Sequence, residues 1–278
     1  MGAARRVTPR KGEQMRHGSG TLRAMLLAGL VLASVGPLLV LVAQSMSNAW
    51  FFPALAPRAL SLAGWRSLVD GDAIASSMLT SLTLGSLTGV VACAIALPIG
   101  RTVSRLHGWR RHVAAAAAFL PVATPPLALG TGLQVLLLAA GIGGTSAGVL
   151  FAHLVPATGY LTLLFLGTFT LFDSRIEEEA RTLGATACQT WWRVTMPLLR
   201  TQIVEAVMVG FLISWSQFAL TLVVGGGAVR ALPLEVFAFV RSGQDRAAAV
   251  GSLVLILPPV LAFTALRWAT RRTVVRAQ

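Results

Sequence analysis

Six apolar runs decide what this chain can become: residues 24–43, 77–100, 113–140, 148–172, 202–224 and 247–268. Each reaches about 20 residues, the length at which a helix rising about 1.5 Å per residue crosses a hydrocarbon core. Backbone amides in hydrocarbon must be paired within their own segment, so runs of this kind fold as helices and not as open sheets. With 55% apolar and only 12% charged residues among 278, a soluble globular domain is excluded. The expected fold is an all-α membrane protein with six transmembrane helices.

A net charge of +13 would suit a nucleic-acid surface, but its distribution points elsewhere. With both termini cytoplasmic, eighteen of the 23 Lys and Arg residues fall in inside segments and five outside, alternating loop by loop. That is the positive-inside bias of a membrane protein, and it excludes a nucleic-acid face. Residues 1–23 then read as a basic, mobile cytoplasmic tail. Residues 24–43 read as an uncleaved anchor and not a signal peptide, and 269–278 as a second cytoplasmic tail.

Between the fourth and fifth runs lies a charged island, residues 173–200. It carries Arg175, Arg181, Arg193 and Arg200 with Asp173, Glu177, Glu178 and Glu179. A charge at mid-membrane costs about 2.5–3.5 kcal/mol, so the island belongs in water, on the cytoplasmic side by the charge bias. Ser174 and Glu177 spell a capping box, which predicts a helix from Ser174 with its acids near the favourable end of the dipole. Gly184 supplies a left-handed stop. Thr186 and Gln189 spell a second box, opening a helix that carries Trp191 and Trp192 up to Pro197, with both indoles read as packing at the interface and not as ligands. The predicted unit is a hinged pair of helices, a knob held at the membrane face.

Elsewhere, Pro121, Pro125 and Pro126 interrupt the third run. Proline frees carbonyls that are tolerated at depth only against protein or a water-filled cavity, so a bend near Pro125 lining a pathway, or acting as a hinge, is expected. Gly85 and Gly89 allow close helix approach in the second run, with hydroxyls from Ser77 to Thr88 to bond across it. Trp50, Phe51, Phe52 and Trp65 suit an aromatic belt at headgroup level. A short amphipathic piece with Phe237 and Phe239 is expected within 228–246. Cys93 and Cys188 read as inert thiols too far apart to pair. Glu205 opens the fifth run within reach of Arg200, which favours a structural role over proton coupling. Residues 144–148 match G-x-S-x-G around Ser146 with His153 nearby, but they join two membrane helices where that motif needs a strand and a helix, so His153 reads as a packed histidine. No P-loop and no His/Cys/Glu metal set is present, and Lys11 is the sole lysine. Energy for transport would then come from a partner or an ion gradient.

The island resembles the cytoplasmic signature of permease subunits of binding-protein-dependent type I ABC importers: Glu-Ala-Ala, three residues, Gly, nine residues, Ile, one residue, Leu-Pro. Glu178, Ala180, Gly184 and Pro197 match it, Val194 and Met196 are apolar replacements, and Glu179 stands where the pattern has its first Ala. The resemblance extends over residues 76–268, the transmembrane core. It implies a pathway formed with a second permease subunit, the same or homologous, in the lipid bilayer of a bacterial inner membrane. It implies ATPase subunits that grip the knob and hold ATP and Mg, with no cofactor on this chain, and an external solute-binding protein. Permeases for polyamines, ferric iron, thiamine or phosphonates are similar in outline. Two other readings stay open on the residues alone, a gradient-driven secondary carrier and, more remotely, an intramembrane serine protease.

Overall fold

The computed structural model describes residues 12–48, 50, 54, 56, 57, 59–66 and 73–275, with side chains for those between 23 and 264. The chain runs α1 (Gly12–Ser45), α2 (Ala63–Arg66), α3 (Ala73–Ser104), α4 (Trp109–Ala123), α5 (Pro126–Ala139) and α6 (Ser146–Leu171). It continues through α7 (Arg175–Thr182), α8 (Ala187–Thr190), a π-turn (Trp191–Thr195) and α9 (Met196–Leu198). It ends with α10 (Arg200–Trp215), α11 (Ala219–Gly225), α12 (Leu232–Arg241) and α13 (Asp245–Val275). Among the described residues four helices are long and apolar enough to cross a membrane, and six spans result if each of two bent pairs counts as one. The all-helical architecture is therefore as expected. One boundary is not: α1 begins at Gly12, inside the stretch predicted as a mobile tail.

The third run is sharper in outcome than its prolines suggest. The helix passes through Pro121 and ends at Ala123, and α5 leaves at 98°. Pro125 holds the preceding Thr124 in extended backbone (ψ 131°). The Thr124 amide and hydroxyl both turn back onto the Leu120 carbonyl, at 3.1 and 2.7 Å. A right angle is the result, so α4 packs along α6 while α5 packs on α11.

The fifth run, expected as one span, is also two helices, broken at residues 216–218. His153 explains the break. Its Nδ1 lies 2.8 Å from Ser214 Oγ and its Nε2 3.0 Å from Thr221 Oγ1. Residues seven apart stand about 10 Å apart along an unbroken helix, too far for one imidazole to meet both. Thr221 donates onward to the Gln217 carbonyl at 2.6 Å, and Thr88 of α3 donates to Ser214 at 3.2 Å. His153 is therefore the packed histidine expected, fully buried and fully bonded.

The bundle is organised on α3, α6 and α10. Ala92, Ala96, Ala157 and Ala206 are wholly buried between them with Leu161 and Phe165. Small residues let the backbones meet, which is how helices gain packing where lipid offers no hydrophobic drive. Helices α3 and α10 approach closely at Gly89 and Gly210: a Cβ on Gly210 would lie 2.9 Å from the Gly89 Cα. A Cβ on Gly89 would lie 2.5 Å from the Val207 carbonyl oxygen, and one on Gly85 2.8 Å from the Phe211 ring. The glycine pair in the second run thus has the role its spacing predicts. Another cluster, Ile74, Trp215, Leu232, Val250 and Val254, seats α12 and α13 against the bundle. Trp65 is half-buried, packs on that cluster and donates to Ser45 Oγ. Trp50 donates to the Ala54 carbonyl, and Phe51 and Phe52 lie outside the described residues. The predicted amphipathic piece is α12, where Phe239 faces the core and Phe237 meets Phe218 edge-on at 5.0 Å.

Candidate functional site

The knob is built from α7, α8, the π-turn and α9, and each junction has a local cause. Gly184 takes φ +89°. Its amide bonds the Arg181 carbonyl and the Ala185 amide bonds the Ala180 carbonyl, each at 3.0 Å. This pair of reversed bonds closes α7 and satisfies carbonyls that the helix end would otherwise leave free. At Thr186 the expected capping box is present in both directions: the Thr186 hydroxyl accepts from the Gln189 amide, and the Gln189 side chain accepts from the Thr186 amide.

The first capping box is not formed. Ser174 is already helical (φ −66°) and makes no side-chain cap; instead Asp173 Oδ1 accepts from the Arg175 amide at 3.0 Å. Glu177 has turned inward. Arg101 Nη2, from the last turn of α3, donates to both its oxygens at 2.9 and 2.6 Å. Thr195 of the π-turn donates to Oε1 at 2.6 Å, and Arg105 approaches Oε2 at 3.5 Å. A carboxylate so bonded is worth more to the knob than to a cap, because two cations and a hydroxyl compensate its desolvation. Removing one partner from a buried pair costs about 3–5 kcal/mol. The Arg101 guanidinium also lies over Trp191, 4.5 Å from the ring centroid, with Phe169 of α6 at 5.9 Å. The π-turn separates the two tryptophans, so that Trp191 is half-buried beneath the guanidinium and Trp192 is 62% exposed. Trp191 packs within the chain, and Trp192 is left facing outward.

Of the site residues expected from sequence, Glu178 and Glu179 are exposed and make no ion pair among the described residues. Ala180 is half-buried, Gly184 forms the turn, and Val194 is half-buried. Met196 packs on the α3–α6–α10 core. Pro197 is exposed in the first turn of α9, just before the chain bends by 71° into α10. Pro121, Pro125 and Pro126 stand apart at the α4–α5 corner. Glu205 is half-buried and forms no ion pair with Arg200 among the described residues, contrary to the reach expected of it. Cys93 is buried and Cys188 exposed. Ser146 sits in the first turn of α6, while both nitrogens of His153 are taken by Ser214 and Thr221, so the serine-protease reading fails for want of a base.

The residue that sequence reasoning missed is Glu177. Three consecutive acids point in three directions around a helix, and nothing in their order says which faces the bundle. The signal was Arg101 and Arg105, two cations at the end of the second run with no acid near them in sequence.

Outward, the knob shows a mixed face. Glu178 and Glu179 are exposed on it, as are Leu183, 89% exposed, Trp192 and Ile176. The family described as binding-protein-dependent transport system inner membrane component matches residues 94–275, the whole knob included. The chain belongs to this family. It is an ABC importer permease subunit. The permease is 23% identical over 225 residues to the spermidine/putrescine transport system permease protein PotC of Haemophilus influenzae, covering 80% of this chain and 86% of that one. It is 27% identical over 206 residues to the molybdenum transport system permease protein ModB of Mycobacterium tuberculosis, covering 69% and 78%. In fold, the permease superposes on a bacterial ABC transporter involved in the import of alginate with a TM-score of 0.69, at 16% identity over 94% of this chain and 99% of that one.

Proposed function

We propose that the permease carries a solute across a bacterial inner membrane, driven by an ATPase subunit that docks on the knob from the cytoplasm. The observation that carries this reading is the knob's two-sidedness. Its inner face is spent on the bundle through Glu177, Trp191 and Met196, while Glu178, Glu179, Leu183 and Trp192 are left exposed, the two carboxylates without an ion pair among the described residues. Apolar side chains of that size rimmed by charge mark a protein contact. Both termini and the knob face the cytoplasm, as the arginine distribution requires. ATP and Mg belong to the ATPase partner, and this chain binds no cofactor. A second permease subunit, a copy or a homologue, completes the pathway, and an external solute-binding protein delivers the cargo. Residues 76–268 form the transport core, with Pro121, Pro125 and Pro126 at its bend.

For cargo, the reading favours a polyamine, supported by the match to PotC over most of both chains. Ferric iron and molybdate are the other candidates, supported by FbpB of Haemophilus influenzae and ModB.

Two measurements test this. The first is co-purification of the tagged permease with an ATPase subunit, which a gradient-driven carrier would not need. The second is thiol labelling of Glu178→Cys in a Cys188→Ser background, because Cys188 is itself exposed. An impermeant reagent should label the new thiol only after the membrane is opened. Labelling of intact cells would put the knob on the outer side and end the reading.

A further inference from the structure

We propose that Arg101 and Glu177 form the joint by which movement of the knob reaches α3, which makes both of them positioning residues for transport. This rests on the reading that a partner drives the knob. The chain itself joins the knob to α6, through residues 172–174, and to α10, through the bend at Leu199. It does not join the knob to α3. Yet α3 packs most closely of all on α6 and α10, and its Gly89 touches the α10 backbone. A knob that shifted without taking α3 along would shear that contact.

The Arg101 guanidinium is what closes the gap. It stands at the end of α3 and meets three elements: α7 through Glu177, α6 through Phe169, and the π-turn through Trp191 and, by way of the shared Glu177 oxygen, Thr195. Ionic contact fixes distance, and stacking on the indole fixes the plane of the group, which a simple cation does not provide. Glu177 is buried and Arg101 largely so, which limits water as a competing partner and stiffens the joint against stretch and rotation. Glu177 has both oxygens engaged and is unavailable to any outside protein. Glu178 and Glu179, on the same helix, are left for that purpose. Neighbouring acids on α7 thus divide two tasks, one gripping the bundle and the others facing out.

A bridge that only holds the knob's shape would, when weakened, reduce binding of the ATPase subunit. A bridge that transmits motion would, when weakened, leave binding and hydrolysis in place and reduce solute moved per ATP. The experiment reconstitutes the full complex with Arg101→Lys, which keeps charge but loses the stacking plane, and with Thr195→Val, which keeps shape but loses the hydroxyl. Variants are compared at equal amounts of membrane-inserted chain. The result expected is ATPase subunit retained, hydrolysis near wild type, and uptake per ATP reduced roughly 2- to 30-fold, the span that mutations along a coupling route produce. The swap Arg101→Glu with Glu177→Arg should recover part of that ratio relative to either single change. An unchanged ratio in both Arg101→Lys and Thr195→Val would overturn the proposal, as would loss of the ATPase subunit from them. Absence of an ATPase subunit from the wild-type chain would instead overturn the driven-knob reading itself.

Discussion

Replacing Gly184 with valine should disable the knob without disturbing the bundle, and the size of the effect follows from two facts about that position. The backbone there has φ +89°, and a Cβ would meet nothing within 4 Å. Steric clash with neighbours is therefore nil, and the whole cost is conformational. An L-residue in the left-handed region loses about 1–2 kcal/mol relative to glycine, and a β-branched one more. At about 2 kcal/mol the ratio of turned to unturned knob falls by up to about 30-fold. Since only the turned form can dock, apparent affinity for the ATPase subunit falls by the lost fraction. Gly167 is the internal control: it too has nothing within 4 Å, but its backbone is helical, so Gly167→Ala should be neutral or mildly stabilising. The assay is titration of purified permease with ATPase subunit, alongside uptake in vesicles. Gly184→Asn should be milder than Gly184→Val, because asparagine tolerates the left-handed region. Wild-type docking and uptake in Gly184→Val, or an equal loss in Gly167→Ala, would refute this reasoning.

Gly89→Val forces a side chain against the Val207 carbonyl and the Phe211 amide, and overpacking of this kind costs about 1–3 kcal/mol; thermal melting in detergent should fall, and an unchanged melt would show that α3 and α10 do not meet there. His153→Leu leaves Ser214 with its bond from Thr88 and Thr221 with its bond to Gln217, so the loss should stay within about 0.6–1.7 kcal/mol, measured by the same melt. Ser146→Ala should leave uptake at the wild-type rate, because both nitrogens of His153 are held by Ser214 and Thr221 and not by Ser146; a loss of uptake in this variant would refute that.

Much of this molecule was legible from the chain because hydrocarbon allows few solutions. The helical form of the oily runs, a glycine stop and the Thr186–Gln189 cap each rest on one local rule, and each appears as that rule has it, the break in the fifth run apart. What escaped depends on pairing across distance. Ser174 and Glu177 satisfy the capping pattern, yet Arg101 lies 76 positions earlier and outbids the cap for the same carboxylate. The break in the fifth run has no proline or glycine at residues 216–218 to announce it; its cause is an imidazole some 60 positions upstream that needs Ser214 and Thr221 together. The corner at Pro125 was visible as a bend, but not that it is a right angle which sets α5 on α11 and not on α6.

The two helix breaks carry a consequence of their own. Starting from the knob end, α4 runs 15 residues and α10 runs 16 before interruption, about 23 Å in either case. Past those points, α5 and α11 lie against each other and share one set of packed leucines and valines. The molecule is thus partitioned crosswise into storeys: a lower one of locked backbones and an upper one hung on two non-helical joints.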